Sequence, residues 1–334
     1  MPHSLSPVVA VPARNEEQRL PDLLFALDRQ IPWSDRRELL PVVLVLNNTT
    51  DGSAALAREM MPQLTNLDLM LVEVNFDQSC AHVGSARRMA MENAYALVGD
   101  TGAIMTTDAD AVPSHDWVLQ NLVALSRGAD IVGGRIIGDP REEAALGQGF
   151  IDRAGKYARY SALCDELASL VDPVVHDPWP RHQDHTGGSI ALRGDVYRAV
   201  GGLPAMPFRE DIALVTAVVR AGGRLVHPME VSVTVSARTV GRAPGGMADC
   251  VRNWMEDEAA GRQIMVESPD IVEARLLMRH AIRSRPGRTS SEIARAIEEE
   301  AASDLDVIGT VPIETAIDHL AHRLSDLKVV TNAA

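Results

Sequence analysis

Three cysteines in 334 residues, at 80, 164 and 250, are too few and too far apart for a disulfide framework or a cysteine zinc site. Lysine occurs only at 156 and 328, which removes most lysine-based mechanisms. The longest apolar runs, such as "PVVLVL" at 41–46, fall far short of a membrane-crossing helix, and no integral membrane segment is expected. "MPHSLSPVVAVP" has neither the basic start nor the apolar stretch of an export signal, so a reducing cytoplasm is the expected location. Positive charge is also scarce, and a formal net charge of −14 argues against a nucleic-acid partner. No G-x-G-x-x-G loop follows a candidate strand, which counts against a dinucleotide-binding oxidoreductase.

What remains is an ordinary globular composition, 46% hydrophobic and 23% charged, in a chain long enough for a large domain plus an appendage. The first 137 residues alternate short apolar runs with amphipathic stretches, the pattern of βαβ units around a mostly parallel sheet. Strands are expected at 8–11, 42–46, 67–74, 103–107 and 130–137. Helices are expected after an Asn15 cap, with Leu20, Leu23, Leu24 and Leu27 on one face, then after "TTDGS", from Gly84 to Leu97 and from Ser114 to Leu125. Beyond them the pattern predicts one helix from Arg141 to Leu170, an irregular "VDPVVHDPWPRHQDHTGGS", and short helices over "GDVYRAVGGLP" and "REDIALVTAVVRAGG". Two short strands follow near 224–226 and 231–235. From 247 onward the Ala, Glu and Arg content predicts an all-helical extension, with Glu298, Glu299 and Glu300 on a solvated face. The expected division is 1–246 as one domain, with a 1–137 donor half and a 138–246 acceptor half, and 247–334 as a helical extension that could mediate homo-oligomers.

In such sheets ligands bind beyond the carboxyl ends of the strands. The segments there are "PARNEE", "NNTTDGS", "NFDQSCAHVGSARR" and "DADA", all polar. Asp108 and Asp110 are either a turn or ligands of a hard cation such as Mg²⁺ or Mn²⁺, which takes carboxylate, phosphate and water oxygens. Glu210 and Asp211 begin a helix, where acids are favoured by the dipole whether or not they catalyse anything. His182, Asp184 and His185 are weak evidence for zinc; they read as acceptor-side or ordinary surface residues.

In order along the chain, "VVAVPARNEE", "VVLVLNNTTDGS", "VGSARRMAMENA", "TTDADAVP", "TGGSIALRGDVYRAVGGLP" and "REDIAL" resemble the inverting family 2 glycosyltransferases of the GT-A fold, over about residues 7–246. The resemblance implies a nucleotide-diphospho-sugar transferase fold and a nucleoside-diphosphate sugar donor, with sugar moved to an unidentified acceptor hydroxyl. Pro12, Ala13, Arg14 and Glu16 would line the nucleoside pocket. Asn47 and Asn48 stand where the family has aspartates holding the base, so UDP is not implied. Gly84 and Arg87 would sit near the donor phosphates or sugar, and Asp108 and Asp110 would hold a divalent cation, Mn²⁺ or Mg²⁺. Asp211 would be the base that deprotonates the acceptor, with Glu210 as its partner or the base itself. Where many relatives supply a metal-binding histidine this chain has Arg238 and Arg242, which could hold the diphosphate. Trp179, His185, Gly187 and Gly188 would face the acceptor. Two other readings are a degenerate GT-A domain that only binds or assembles, and a dehalogenase-type phosphatase suggested by "DADAV". The second would have Lys156 as its only plausible lysine, and its aspartates fall on about the fourth strand where that family has them on the first.

Overall fold

The computed structural model describes residues 5–32, 38–241, 246–303 and 309–332. The chain opens β1 (Pro7–Ala13), α1 (Leu20–Asp28), β2 (Leu40–Asn47), α2 (Ser53–Met60), β3 (Leu67–Val74), α3 (Val83–Val98) and β4 (Ala103–Thr106). It continues through β5 (Ala111–Pro113), α4 (Trp117–Ser126), β6 (Ile131–Gly133), β7 (Arg135–Gly138), α5 (Pro140–Ala145) and α6 (Gln148–Val171). Then come β8 (Ile190–Arg193), α7 (Gly194–Ala199), α8 (Glu210–Arg220), β9 (Leu225–Val226) and β10 (Ser232–Val235). The remainder is α9 (Met247–Ala259), β11 (Met265–Glu267), α10 (Pro269–Arg283), α11 (Ser290–Ser303), β12 (Thr310–Pro312) and α12 (Ile313–Asn332).

The main sheet has the order β3-β2-β1-β4-β8-β6-β9. Its first four strands are parallel, and β8 runs against both β4 and β6. Strands covered on both faces must be apolar throughout, which is why β1 is buried at all seven positions. Alternate residues feed two cores. Val9, Val11, Leu44 and Trp117 lie in one, while Val8, Ala10, Val43 and Leu214 lie in the other. Because β8 is reversed, its start lies at the edge where the parallel strands end. Thr106, the last residue of β4, is opposite Ile190, the first of β8. The loop before β8 is thereby delivered to the same rim as the loop after β4.

Several sequence expectations are corrected. The 130–137 strand is two strands in different sheets, because Gly133 and Gly134 let the chain pass against Asp184, His185 and Ser189 at distances that a Cβ would forbid. The expected 141–170 helix is broken at Gly147, whose φ of +96° a side chain would resist. Asn15 does not cap α1. It adopts a left-handed φ of 55° and accepts from the Thr50 amide at 2.8 Å, while α1 starts after Arg19. The C-terminal region is not all helical, since β11 and β12 form an antiparallel pair. Glu298 is not merely solvated; it pairs with Arg220 of α8. α10 and α12 pack on α6 through Leu167, Ala168, Leu276, Leu320 and Leu324. None of the described helices is long and apolar enough to cross a membrane.

Candidate active site

A cleft of about 730 Å³ opens where β1, β2 and β4 end and the loop before β8 begins. Pro12, Ala13, Arg14 and Glu16 line it from β1, and Asn47 from β2. Arg87, Asp108 and Asp110 lie across its floor, and Gly187, Gly188, Glu210, Asp211 and Arg238 close the other side. Residues from "PARNEE", "DADA", "TGGS" and "RED" thus share one wall-to-wall surface. Asn48, Gly84, Trp179 and His185 do not line the cleft, and Arg242 lies outside the described residues. Asn48 instead clamps the Phe76 backbone, giving 2.9 Å to its carbonyl and accepting 3.0 Å from its amide. Gly84 lets α3 approach Met206, whose carbonyl would be 1.9 Å from a Cβ there. Trp179 is exposed on the preceding loop.

Arg87 is 2% exposed. Its guanidinium donates to Asp108 Oδ1 at 2.6 Å, Glu210 Oε1 at 3.0 Å, Thr106 Oγ1 at 3.0 Å and the Gly187 carbonyl at 2.9 Å. Burial works against its charge, but Asp108 and Glu210 outweigh that and hold it above the ordinary arginine range. Turned inward in this way, it binds the first aspartate of "DAD" to the glutamate of "RED" rather than extending toward a donor.

Asp211 Oδ2 accepts from the Gly187 amide at 2.6 Å, and Oδ1 from the Ile212 amide at 2.7 Å. α8 begins after Arg209, an arginine at φ 59° with its guanidinium over the Phe208 ring. Asn15, Asn48 and Arg209 are the non-glycine residues with positive φ among the described residues, and of these Arg209 lines the cleft. Arg209 lines the cleft and was not singled out from the sequence; the "RED" triplet was its only signal.

Near the end of β1 Arg238 forms a fork with Glu16, 2.8 Å to each oxygen, and reaches Asp110 Oδ2 at 2.9 Å. Burial, then the Asp108 carboxylate, pushes Asp110 up to about 6, with Arg238 opposing. Asn47 donates to the His82 carbonyl at 3.1 Å, whereas its Oδ1 is buried with no hydrogen-bond partner. An orphaned acceptor in a cleft wall is costly unless a ligand supplies the donor.

Asp108 and Asp110 offer oxygen ligands only, the donor set of a hard cation. Among the described residues no three His, Cys, Asp or Glu side chains converge to hold an ion. The oxygens of the pair fit a cation that would complete its coordination from phosphate and water. The loop histidines do not form a zinc site, and they are not ordinary surface groups: His182 and His227 are buried, and His185 contacts His227.

Residues 8–166 match the family model described as glycosyl transferase family 2. No curated protein matches the chain. Among solved structures, residues 1–349 of Staphylococcus aureus TarS in complex with UDP align at 14% identity with a TM-score of 0.50. That alignment covers 84% of this chain and 71% of the other. The mannosyltransferase PcManGT of Pyrobaculum calidifontis, in complex with GDP-Man and Mn²⁺, aligns at 19% identity and a TM-score of 0.49, covering 99% and 84%.

Proposed function

We propose that this chain, whose residues 8–166 carry a family 2 glycosyltransferase domain on a GT-A fold, transfers a sugar with inversion from a nucleoside-diphosphate sugar to an acceptor hydroxyl. The carrying observation is that one cleft holds an oxygen-only aspartate pair and, across Arg87 and Gly187, a second carboxylate oriented by a backbone amide.

The donor's nucleoside lies against Pro12, Ala13 and Arg14, and a base N–H satisfies the orphaned Oδ1 of Asn47. Asp108 and Asp110 would hold Mg²⁺ or Mn²⁺, which would supply positive charge for a departing diphosphate. Arg238 adds a guanidinium on the same side. Asp211 takes the proton from the acceptor hydroxyl as the new bond forms at the face opposite the leaving group. Glu210, 4% exposed and bound by Arg87, holds Arg87 in register rather than meeting the acceptor. Gly187 and Gly188 bring backbone close to the acceptor.

Release of nucleoside diphosphate from a panel of sugar nucleotides tests the reading. Asp108→Ala and Asp211→Asn should both abolish it in folded protein. Full turnover by Asp211→Asn would remove the base assignment.

A further inference from the structure

The loop 176–188 carries a hydrogen-bonded chain outside the cleft. His227 follows β9 directly, and its amide donates to Asp177 Oδ1 at 2.8 Å while its ring Nδ1 lies 2.8 Å from Asp177 Oδ2. Asp177 is buried and also receives Arg181 at 3.2 Å. An ionised carboxylate only accepts, so His227 Nδ1 must carry the proton. With a neutral ring, His227 presents a lone pair at Nε2, which lies 3.2 Å from His185 Nδ1. In that state His185 Nδ1 carries the proton of the contact. The polarity runs one way, from His185 through His227 to Asp177.

Two residues beyond His185 is Gly187, whose amide holds Asp211 and whose carbonyl holds Arg87. His185 is packed against Gly133, where a Cβ would stand 2.8 Å from the His185 Cβ, so its backbone has little room to shift. His182 and Asp184 anchor the same loop, through an approach of His182 Nε2 to the Pro228 carbonyl at 3.3 Å and a bond from the Ile136 amide to Asp184 Oδ2 at 3.0 Å. Burial above all holds His185 below the ordinary histidine range, in keeping with a neutral ring.

We propose that Asp177 and His227 are positioning residues for the transfer: they fix His185 as its Nδ1–H tautomer and so hold residues 185–188 where the Gly187 amide orients Asp211. The proposal rests on the reading of Asp211 as the base. It is an orientation device built on hydrogen-bond polarity, with no proton leaving the chain.

His227→Phe makes the test sharp, because it keeps ring volume and takes away the group that faces His185 Nδ1. Long-range ¹H–¹⁵N spectra of the unmodified protein should show Nδ1–H on both His185 and His227. In His227→Phe the kcat should fall at least tenfold while donor affinity stays within twofold. Nε2–H on His227 in the unmodified protein would overturn the proposal, as would unchanged kcat in His227→Phe. The tautomers can be read in the Asp211→Asn protein, so failure of the base assignment is recognised separately by turnover in that variant.

Discussion

The Gly187 amide and the Asp211 carboxylate meet at 2.6 Å, and the other face of the same glycine, its carbonyl, receives Arg87 at 2.9 Å. One residue thus joins the carboxylate assigned to the acceptor with the guanidinium that grips Asp108. The loops that carry Asp108 and Asp211 are thereby tied together through Arg87 and Gly187.

Arg87→Met should therefore cost stability beyond its lost packing. It would leave Glu210 as a buried carboxylate without its guanidinium, and breaking a buried pair from one side costs about 3–5 kcal/mol. Urea unfolding followed by circular dichroism measures it. Arg87→Lys should recover only part, because an ammonium cannot fork to Asp108 and Glu210 together.

Gly84→Ala should destabilise by roughly 1–3 kcal/mol, since the added methyl must push the Met206 backbone aside. Thermal unfolding is the readout. An unchanged midpoint would show that the 204–208 segment yields freely.

Arg238→Met should free Asp110 from its guanidinium contact. We expect Mn²⁺ alone to bind more tightly to this variant, by up to about tenfold, the equivalent of about 1.4 kcal/mol. The nucleoside diphosphate should bind more weakly once the positive side chain is gone. Calorimetric titration separates the two effects.

The buried histidines set a pH dependence of folding. Burial pushes His182 down to about 4, below an unfolded value near 6.5. Between those values the unfolded chain binds the extra proton, so stability from this group is complete above about 6.5 and is lost as pH falls toward 4. Asp165, raised to about 6 chiefly by burial, contributes the opposite slope over part of that range. The informative quantity is consequently a difference: His182→Gln should show a smaller loss of unfolding free energy between pH 7 and pH 5 than the unmodified protein.

Much of the fold was legible because β1, β2 and β4 are covered on both faces and must be written as apolar runs. β8 was not, since four residues after Gly187-Gly188-Ser189 carry no periodicity, and only the sheet reveals that it runs backwards. The break at Gly133-Gly134 was equally silent, because its cause is the close approach of a loop 50 residues away. At the site the chemical types were readable, but their partners were not. The resemblance puts Arg87 near the donor phosphates or sugar; its bonds to Asp108 and Glu210 depend on acids supplied by two distant segments. The same applies to His227, whose ring partners Asp177 and His185 are supplied by a loop far back in the chain.

The central claim, a donor diphosphate bound through a cation on Asp108 and Asp110, is tested most directly by isothermal titration of nucleoside diphosphates with and without Mn²⁺. The account predicts at least tenfold tighter binding of one nucleotide when the ion is present, and loss of that gain in Asp108→Ala and Asp110→Ala. Equal affinity with and without the ion, in the unmodified protein and both variants, would contradict it.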